Sequence, residues 1–291
     1  MKPALADSYN QCEKLVKLQS TSFYLASRTL PTHKRKAIYV IYAFCRLCDD
    51  IVDNGDKPIE KKRGVDEVRF SLQPENKSTN QNSIMLAVHD VINTYEIPLL
   101  YFEDLLLGME TDIDFVKFET FEELKLYCYR VASTVGLMCL NIFGYDNESC
   151  KELAIDLGVA MQLTNIIRDV KEDFGMNRIY LPKEDFEYSG YTYNELGNGI
   201  INANFNNLIK IQISRAEKYF AKSKPLKSLL HKDSQQCLEL IAEVYMKLLN
   251  QMNKNPNLIL KQRTELNFIN KVHLLMKCYL TNLKKRLYVS R

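Results

Sequence analysis

Leu163-Thr-Asn-Ile-Ile-Arg-Asp-Val-Lys-Glu-Asp-Phe174 decides how this chain is read. Asn165, Asp169 and Asp173 follow one another at intervals of four. On an α-helix that spacing stacks three oxygen-bearing side chains on one face, with a drift of roughly 40° per step. A second cluster stands upstream in Cys45-Arg-Leu-Cys-Asp-Asp-Ile-Val-Asp53, where Asp49 and Asp53 are again four apart. Each cluster has an arginine beside it, Arg46 and Arg168. Hard oxygen ligands suit Mg²⁺, which takes few protein carboxylates and completes its shell with water and substrate phosphates. Two carboxylate faces flanked by arginines therefore point to a magnesium–diphosphate site.

Each cluster has a plainer alternative. Asp49, Asp50 and Asp53 could mark a solvent-facing helix end. The residues just before them, Ile38 to Cys45, are apolar on every side, as in a buried helix. Burying three carboxylates there without a counter-charge costs several kcal/mol, and a metal supplies that charge. For the later cluster the alternative is a ladder of ion pairs along the helix. Lys171 lies about 200° round from Asp169 and cannot neutralise its face. Arg168 and Glu172 are spaced to pair, which gives Arg168 a structural share.

The bulk composition favours helices. Among 291 residues there are only 10 Gly and 8 Pro, too few turn residues for a β-rich fold. Apolar periodicity predicts helices near 8–27, 33–55, 58–72, 82–96, 98–112, 120–144, 146–174, 203–223, 228–253 and 266–288. The polar run 73–83 reads as a connector and the Gly/Asn-rich run 190–207 as a loop. No composition break divides the chain, so one domain over 1–291 is expected.

A net charge of +3 is too small to suggest a nucleic-acid partner. From Lys254 to Arg291 there are nine Lys/Arg against one acid, Glu265, a pattern that suits either a solvated face or peripheral contact with an anionic membrane. The longest uninterrupted apolar run, Ala37 to Cys45, falls far short of the ~20 residues that span a bilayer. Eight cysteines without a regular framework read as reduced thiols of a cytoplasmic protein. Cys45-x-x-Cys48 has neither a second pair nor nearby histidines for zinc. His89-Asp90 lacks the further histidines of a metal phosphohydrolase, and no nucleophile elbow, Gly-rich phosphate loop or dinucleotide fingerprint is visible. Tyr127-Cys-Tyr-Arg-Val-Ala-Ser-Thr-Val-Gly136 sets small residues among tyrosines, suiting close approach of another helix or of a ligand.

Taken together, these motifs resemble the squalene/phytoene synthase family, the head-to-head prenyl synthases, from about Ser20 to Lys271. The resemblance is carried by Ser20-Thr-Ser-Phe-Tyr24 with Leu30-Pro31, by Tyr42 to Asp53, and by Gly108-Met-Glu-Thr-Asp112. Tyr127 to Gly136, and Gln162 to Pro182 ending in Arg178-Ile-Tyr-Leu-Pro182, complete it. Gln19 and Thr21 stand where some C15-using members carry His and Lys, and Ser133 replaces a usual Gly.

The resemblance implies an all-α isoprenoid-synthase helical bundle with a central cavity between two aspartate-rich helices. It implies that Asp49, Asp53, Asn165, Asp169 and Asp173 hold Mg²⁺, for which Mn²⁺ could substitute; the missing dinucleotide fingerprint sets the separate expectation that no NADPH is needed. Ser20, Ser22, Phe23, Tyr42, Arg46, Gln162, Asn165, Arg168, Tyr245 and Arg263 would contact prenyl diphosphate substrates. Tyr127 joins the catalytic set, and Phe23, Tyr42, Tyr127 and Tyr129 would offer π faces to cationic intermediates. Farnesyl diphosphate giving dehydrosqualene, the first step toward C30 carotenoids, is the favoured reaction, with Tyr39, Tyr42 and Phe23 as the pocket floor. Geranylgeranyl diphosphate giving phytoene is the alternative, favoured by the small Ala26 and Ser27. A downstream desaturase is the expected consumer of the product. Squalene synthase, class I terpene cyclase and a non-enzymatic assembly factor are the other classes weighed. The intact aspartates argue against the last, and the Tyr127–Gly136 and Arg178–Pro182 segments against the cyclase.

Overall fold

Long apolar stripes broken by short polar links leave this chain little choice but to pack helix on helix. The computed structural model describes residues 3–54, 57–76 and 83–265, together with 270, 276, 277 and 280. The helices are α1 (Pro3–Gln19), α2 (Thr21–Ser27), α3 (Thr32–Asn54), α4 (Pro58–Leu72), α5 (Met85–Thr94), α6 (Leu99–Ile113) and α7 (Phe121–Cys128). There follow α8 (Thr134–Phe143), α9 (Ser149–Gly175), α10 (Lys183–Ser189), α11 (Tyr193–Gly197), α12 (Ala203–Ser223), α13 (Leu226–Leu229) and α14 (Gln235–Lys254). Among the described residues there is no strand, and the fold is all-α. One continuous core runs from Cys12 in α1 to Leu260, with α9 packed along α12, α8 and α14.

Several expected boundaries moved, each for a local reason. The helix expected over 8–27 breaks at Ser20, whose φ of −142° and ψ of 84° are not helical. Ser and Thr compete with the backbone for hydrogen bonds, and the run Ser20-Thr-Ser22 favours such a break. The helix expected over 120–144 contains a π turn, Tyr129–Ser133, between α7 and α8. Within it the Thr134 hydroxyl donates to the Arg130 carbonyl at 2.6 Å. A π turn adds a residue and re-phases the face that follows.

The last long helix starts at Gln235, not 228, because Lys34 draws Asp233 and Ser234 into a buried hydrogen-bonded knot. The expected loop over 190–207 holds the short α11, started by a Thr192–Glu195 capping box. The expected helix over 266–288 and most of the basic 254–291 region lie outside the described residues. By length and composition the stretch Phe121–Phe143 is apolar enough to cross a membrane, which a count of uninterrupted runs had missed. Half of it is buried in the core, where Leu124, Cys128, Leu137 and Met138 pack.

At Gly158, α9 packs directly on the backbone of the π turn. A Cβ on Gly158 would lie 2.5 Å from Ser133 Cα and 2.7 Å from its backbone N. Backbone cannot yield as a flexible side chain would, so Gly158→Ala is expected to destabilise by roughly 1–3 kcal/mol. Gly175, with nothing within 4 Å of its added Cβ, is the control. Gly175→Ala should leave stability unchanged or raise it by up to ~1 kcal/mol, read from urea denaturation midpoints.

Candidate active site

Beside the π turn lies a cavity of about 710 Å³. One end is polar, lined by Asp49, Asp112, Gln162, Asn165, Arg168 and Arg263. The other is apolar and ends at Phe143, Leu226 and Leu230. From α8 and the π turn, Val131, Ala132, Val135, Gly136, Cys139, Leu140 and Phe143 line one wall. These recur at helical spacing, so a single stripe walls the cavity along its depth. The small residues serve both readings of this segment. Gly136 lines the cavity, and its added Cβ would stand 3.3 Å from the Ala154 carbonyl of α9.

The polar end is crowded with carboxylates. Burial, reinforced by Asp53 and Asp112 and opposed by Arg46, pushes Asp49 up to about 7. Burial and the charge of Asp169, opposed by Arg178, push Asp173 likewise to about 7. Asp112 is raised by burial, and hydrogen bonds and Arg178 resist that rise. Asp112 feels Asp53, and both Asp49 and Asp173 feel Asp112. The two acidic helices, α3 and α9, therefore face each other across the end of α6.

Asp112 is the residue that sequence reasoning missed, although its motif had been noted. Tyr180 donates to its Oδ1 at 2.7 Å and Tyr127 to its Oδ2 at 2.9 Å. Arg178 donates to the Asp112 carbonyl at 3.3 Å and pairs with Asp53 at 3.2 Å. Arg178 and Tyr180 thus tie the loop after α9 to both α3 and α6. The rings of Tyr127 and Tyr180 stack at 5.1 Å.

Most of the expected contact residues line the cavity: Ser20, Ser22, Phe23, Tyr42, Tyr127, Gln162, Asn165, Arg168, Tyr245 and Arg263. Phe23 and Tyr42 lie with ring centroids 5.2 Å apart. Four expectations differ. Arg168 pairs with Asp169, Nε to Oδ1 at 2.8 Å, rather than with Glu172. Glu172 is met by Arg263 at 3.6 Å, and Arg263 also reaches Asp169 at 3.0 Å. Tyr129 donates to Asp104 and does not line the cavity, because two residues after Tyr127 it lies about 200° round the helix. Tyr39 is buried outside the cavity, stacked on Tyr24, and so is no part of a floor. Arg46 pairs with Asp50 at 2.5 Å, leaving its buried Nε without a partner.

The donors fit Mg²⁺ held partly by a ligand. Among the described residues no three metal-ligating side chains converge into a finished cluster. Asn165 donates to Gln162 at 3.2 Å, which leaves its Oδ1 buried, unpartnered and beside the cavity. Oxygen donors spaced too widely to close a cage match a small hard cation that takes its remaining ligands from phosphates and water.

The sequence model of the squalene/phytoene synthase family matches residues 16–270. The chain is 32% identical over 271 residues to a phytoene synthase of Arthrospira platensis, covering 89% of this chain and 88% of that one. It is 36% identical over 229 residues to a 15-cis-phytoene synthase of Synechocystis, covering 75% and 68%. A crystal structure of a dehydrosqualene synthase in complex with ligand superposes with a TM-score of 0.86 at 32% identity, covering 97% and 98%. The chain belongs to the squalene/phytoene synthase family, prenyltransferase-type enzymes that act head to head in isoprenoid biosynthesis.

The raised carboxylates make a prediction for the metal-free protein. Asp49 stays protonated in the folded chain up to about pH 7, whereas the unfolded chain ionises near 3.8. Its contribution is therefore full below the unfolded value and is lost as pH rises through about 7. In chelator at pH 8, Asp49→Asn should be more stable than the parent by roughly 1–3 kcal/mol, and the gain should shrink as pH falls toward 4. Chemical denaturation across that range checks it.

Proposed function

We propose that this chain joins two geranylgeranyl diphosphates head to head, through a cyclopropyl diphosphate, to phytoene. The observation that carries this is one cavity with carboxylates of two helices at its mouth and an apolar stripe running along its depth. The apolar stripe Val131–Phe143 is twelve residues deep, about 18 Å at 1.5 Å per residue. An extended C20 prenyl chain measures about 19 Å and a C15 chain about 14 Å, from C–C bonds of ~1.5 Å. Phe23 and Tyr42 stand near the polar end, where Tyr42 feels Arg46 and Asp49 and hydrogen bonds to Ser20. They do not close the far end. Ala26 is fully buried against Leu240, Val244 and Leu248 and projects no bulk into the cavity. The phytoene synthases at 32–36% identity agree with this choice. Farnesyl diphosphate and dehydrosqualene remain the second reading, favoured by the likeness to a dehydrosqualene synthase along 97% of the chain.

The roles follow from position. Arg168 and Arg263 line the cavity beside Asp169 and would bind diphosphate oxygens. Asp49, Asp53, Asn165, Asp169 and Asp173 would hold Mg²⁺, which as a Lewis acid draws charge from the leaving diphosphate. Tyr127, held by Asp112, keeps a fixed aromatic face toward the cavity, and Phe23 and Tyr42 add two more. Such faces stabilise an allylic cation and keep water from quenching it.

Asp49→Asn and Asp173→Asn should each lose activity by about 10²-fold or more while circular dichroism stays at the parent level. Excess chelator should abolish turnover. With C15 and C20 diphosphates competing in one tube, mass analysis should show a C40 hydrocarbon predominating. A C30 product in excess would move the assignment to farnesyl diphosphate, and full turnover in chelator would remove the metal from the account.

A further inference from the structure

Arg178 stands among carboxylates from three helices. One terminal nitrogen donates to Asp53 Oδ1 of α3 at 3.2 Å, and the other to the Asp112 carbonyl of α6 at 3.3 Å. Its charge also opposes the rise of Asp112 and that of Asp173 on α9. The Arg178 side chain is 12% exposed, and among the described residues it is the cation that pairs with Asp53. Burial works against a guanidinium here, but Tyr180, Asp112 and Asp53 outweigh it and raise the group above the ordinary arginine value.

Local backbone geometry delivers this arginine. α9 ends at Gly175, and Asn177 takes a φ of +59°, a left-handed turn that Asn adopts more readily than most residues. Arg178 N then donates back to the Asp173 carbonyl at 2.8 Å. Two residues on, Tyr180 donates to Asp112 and fixes the loop from its other side. The planar fork lets one side chain meet acceptors on two helices at once. A divalent cation that takes Asp53 as a ligand must displace this guanidinium. Arginine keeps its charge at any working pH, so the pair does not lapse by titration. Bare Mg²⁺ would have to break an ion pair for one carboxylate. Mg²⁺ arriving with a diphosphate brings further oxygen ligands that offset the loss.

We infer that Arg178 is a resident counter-ion that keeps Asp53 from bare Mg²⁺, so that this face takes the metal together with a diphosphate and not before it. The inference rests on the metal–diphosphate reading above and adds a positioning residue, acting through Asp53, that sets the order in which the site fills.

The test is calorimetric binding of Mg²⁺, with and without pyrophosphate, to the purified full-length chain and its variants, with circular dichroism and Tm as fold controls. Arg178→Gln keeps a hydrogen-bonding amide and loses the charge. It should bind Mg²⁺ alone about tenfold tighter than the parent, the scale on which one adjacent charge changes a carboxylate's affinity for a cation such as the proton. Damage to the fold would not produce such a gain. Arg178→Lys keeps the charge and should stay within about threefold of the parent. The nitrogen-15 side-chain signal of Arg178 in the parent, assigned by its loss in Arg178→Lys, carries the test if Arg178→Gln melts early. It should hold its place in Mg²⁺ alone and shift in Mg²⁺ with pyrophosphate. Affinity for Mg²⁺ in folded Arg178→Gln no tighter than in the parent, equal tightening in Arg178→Lys, or an Arg178 signal unmoved by Mg²⁺ with pyrophosphate would each overturn the inference. The metal reading would then stand on the parent's joint binding of Mg²⁺ and pyrophosphate. A parent that binds Mg²⁺ neither alone nor with pyrophosphate would overturn both.

Discussion

Carboxylates gathered at the mouth of an apolar cavity are the constraint on which the rest of this molecule depends. Asp49, Asp112 and Asp173 are each pushed up by burial and by one another's charge. Arg178 ties Asp53 to the end of α6, two tyrosines satisfy Asp112, and Arg168 and Arg263 hold Asp169. That offsets part of the repulsion. Arg46 opposes only part of the rise of Asp49, and Arg178 only part of that of Asp173. Like charges kept close in a poorly solvated place are costly alone and become favourable once cations arrive. Cations brought in by a diphosphate, as proposed above, would offset that repulsion.

The packing below the mouth gives the cavity its shape. Gly158 lets α9 close on the π turn, and Gly136 lets α8 approach the α9 backbone. Larger residues at either place would push the walls apart. Helix geometry sorts the tyrosines two residues apart, Tyr127 to Asp112 beside the cavity and Tyr129 to Asp104 outside it. At the far end Lys34 joins the start of α3 to the end of α8 and the start of α14, so the floor is as fixed as the mouth. The largely apolar space between them, with Phe23, Tyr42 and Tyr127 on its walls, suits an intermediate that water would destroy.

Much of this was legible in the residues alone. The i, i+4, i+8 set at Asn165, Asp169 and Asp173 is a local pattern, and helix geometry turns it into a face without knowledge of the fold. The same holds for Asp49 and Asp53, and for Lys171, which points away from the acid face to the Lys261 carbonyl. What escaped was long-range or depended on fine backbone geometry. Asp112 lies 68 positions from Tyr180, and nothing local in either announces that they meet. The π turn changes hydrogen-bond register by one residue, too small a shift to mark the apolar period, whereas the place of Tyr129, about 200° round from Tyr127, follows from helix geometry alone. Arg168 pairs with its neighbour Asp169 rather than with Glu172, and Arg263, 94 residues beyond Asp169, meets both acids.

The central claim is that the two acidic faces become a metal site only with a diphosphate between them. Thermal melting in Mg²⁺ alone, in pyrophosphate with chelator, and in both together tests it most directly, because ligand binding raises Tm by mass action. The expected result is a small shift from either component alone and a much larger one from the pair, lost in Asp49→Asn and Asp173→Asn. Stabilisation by pyrophosphate in chelator equal to that with Mg²⁺ would contradict the claim.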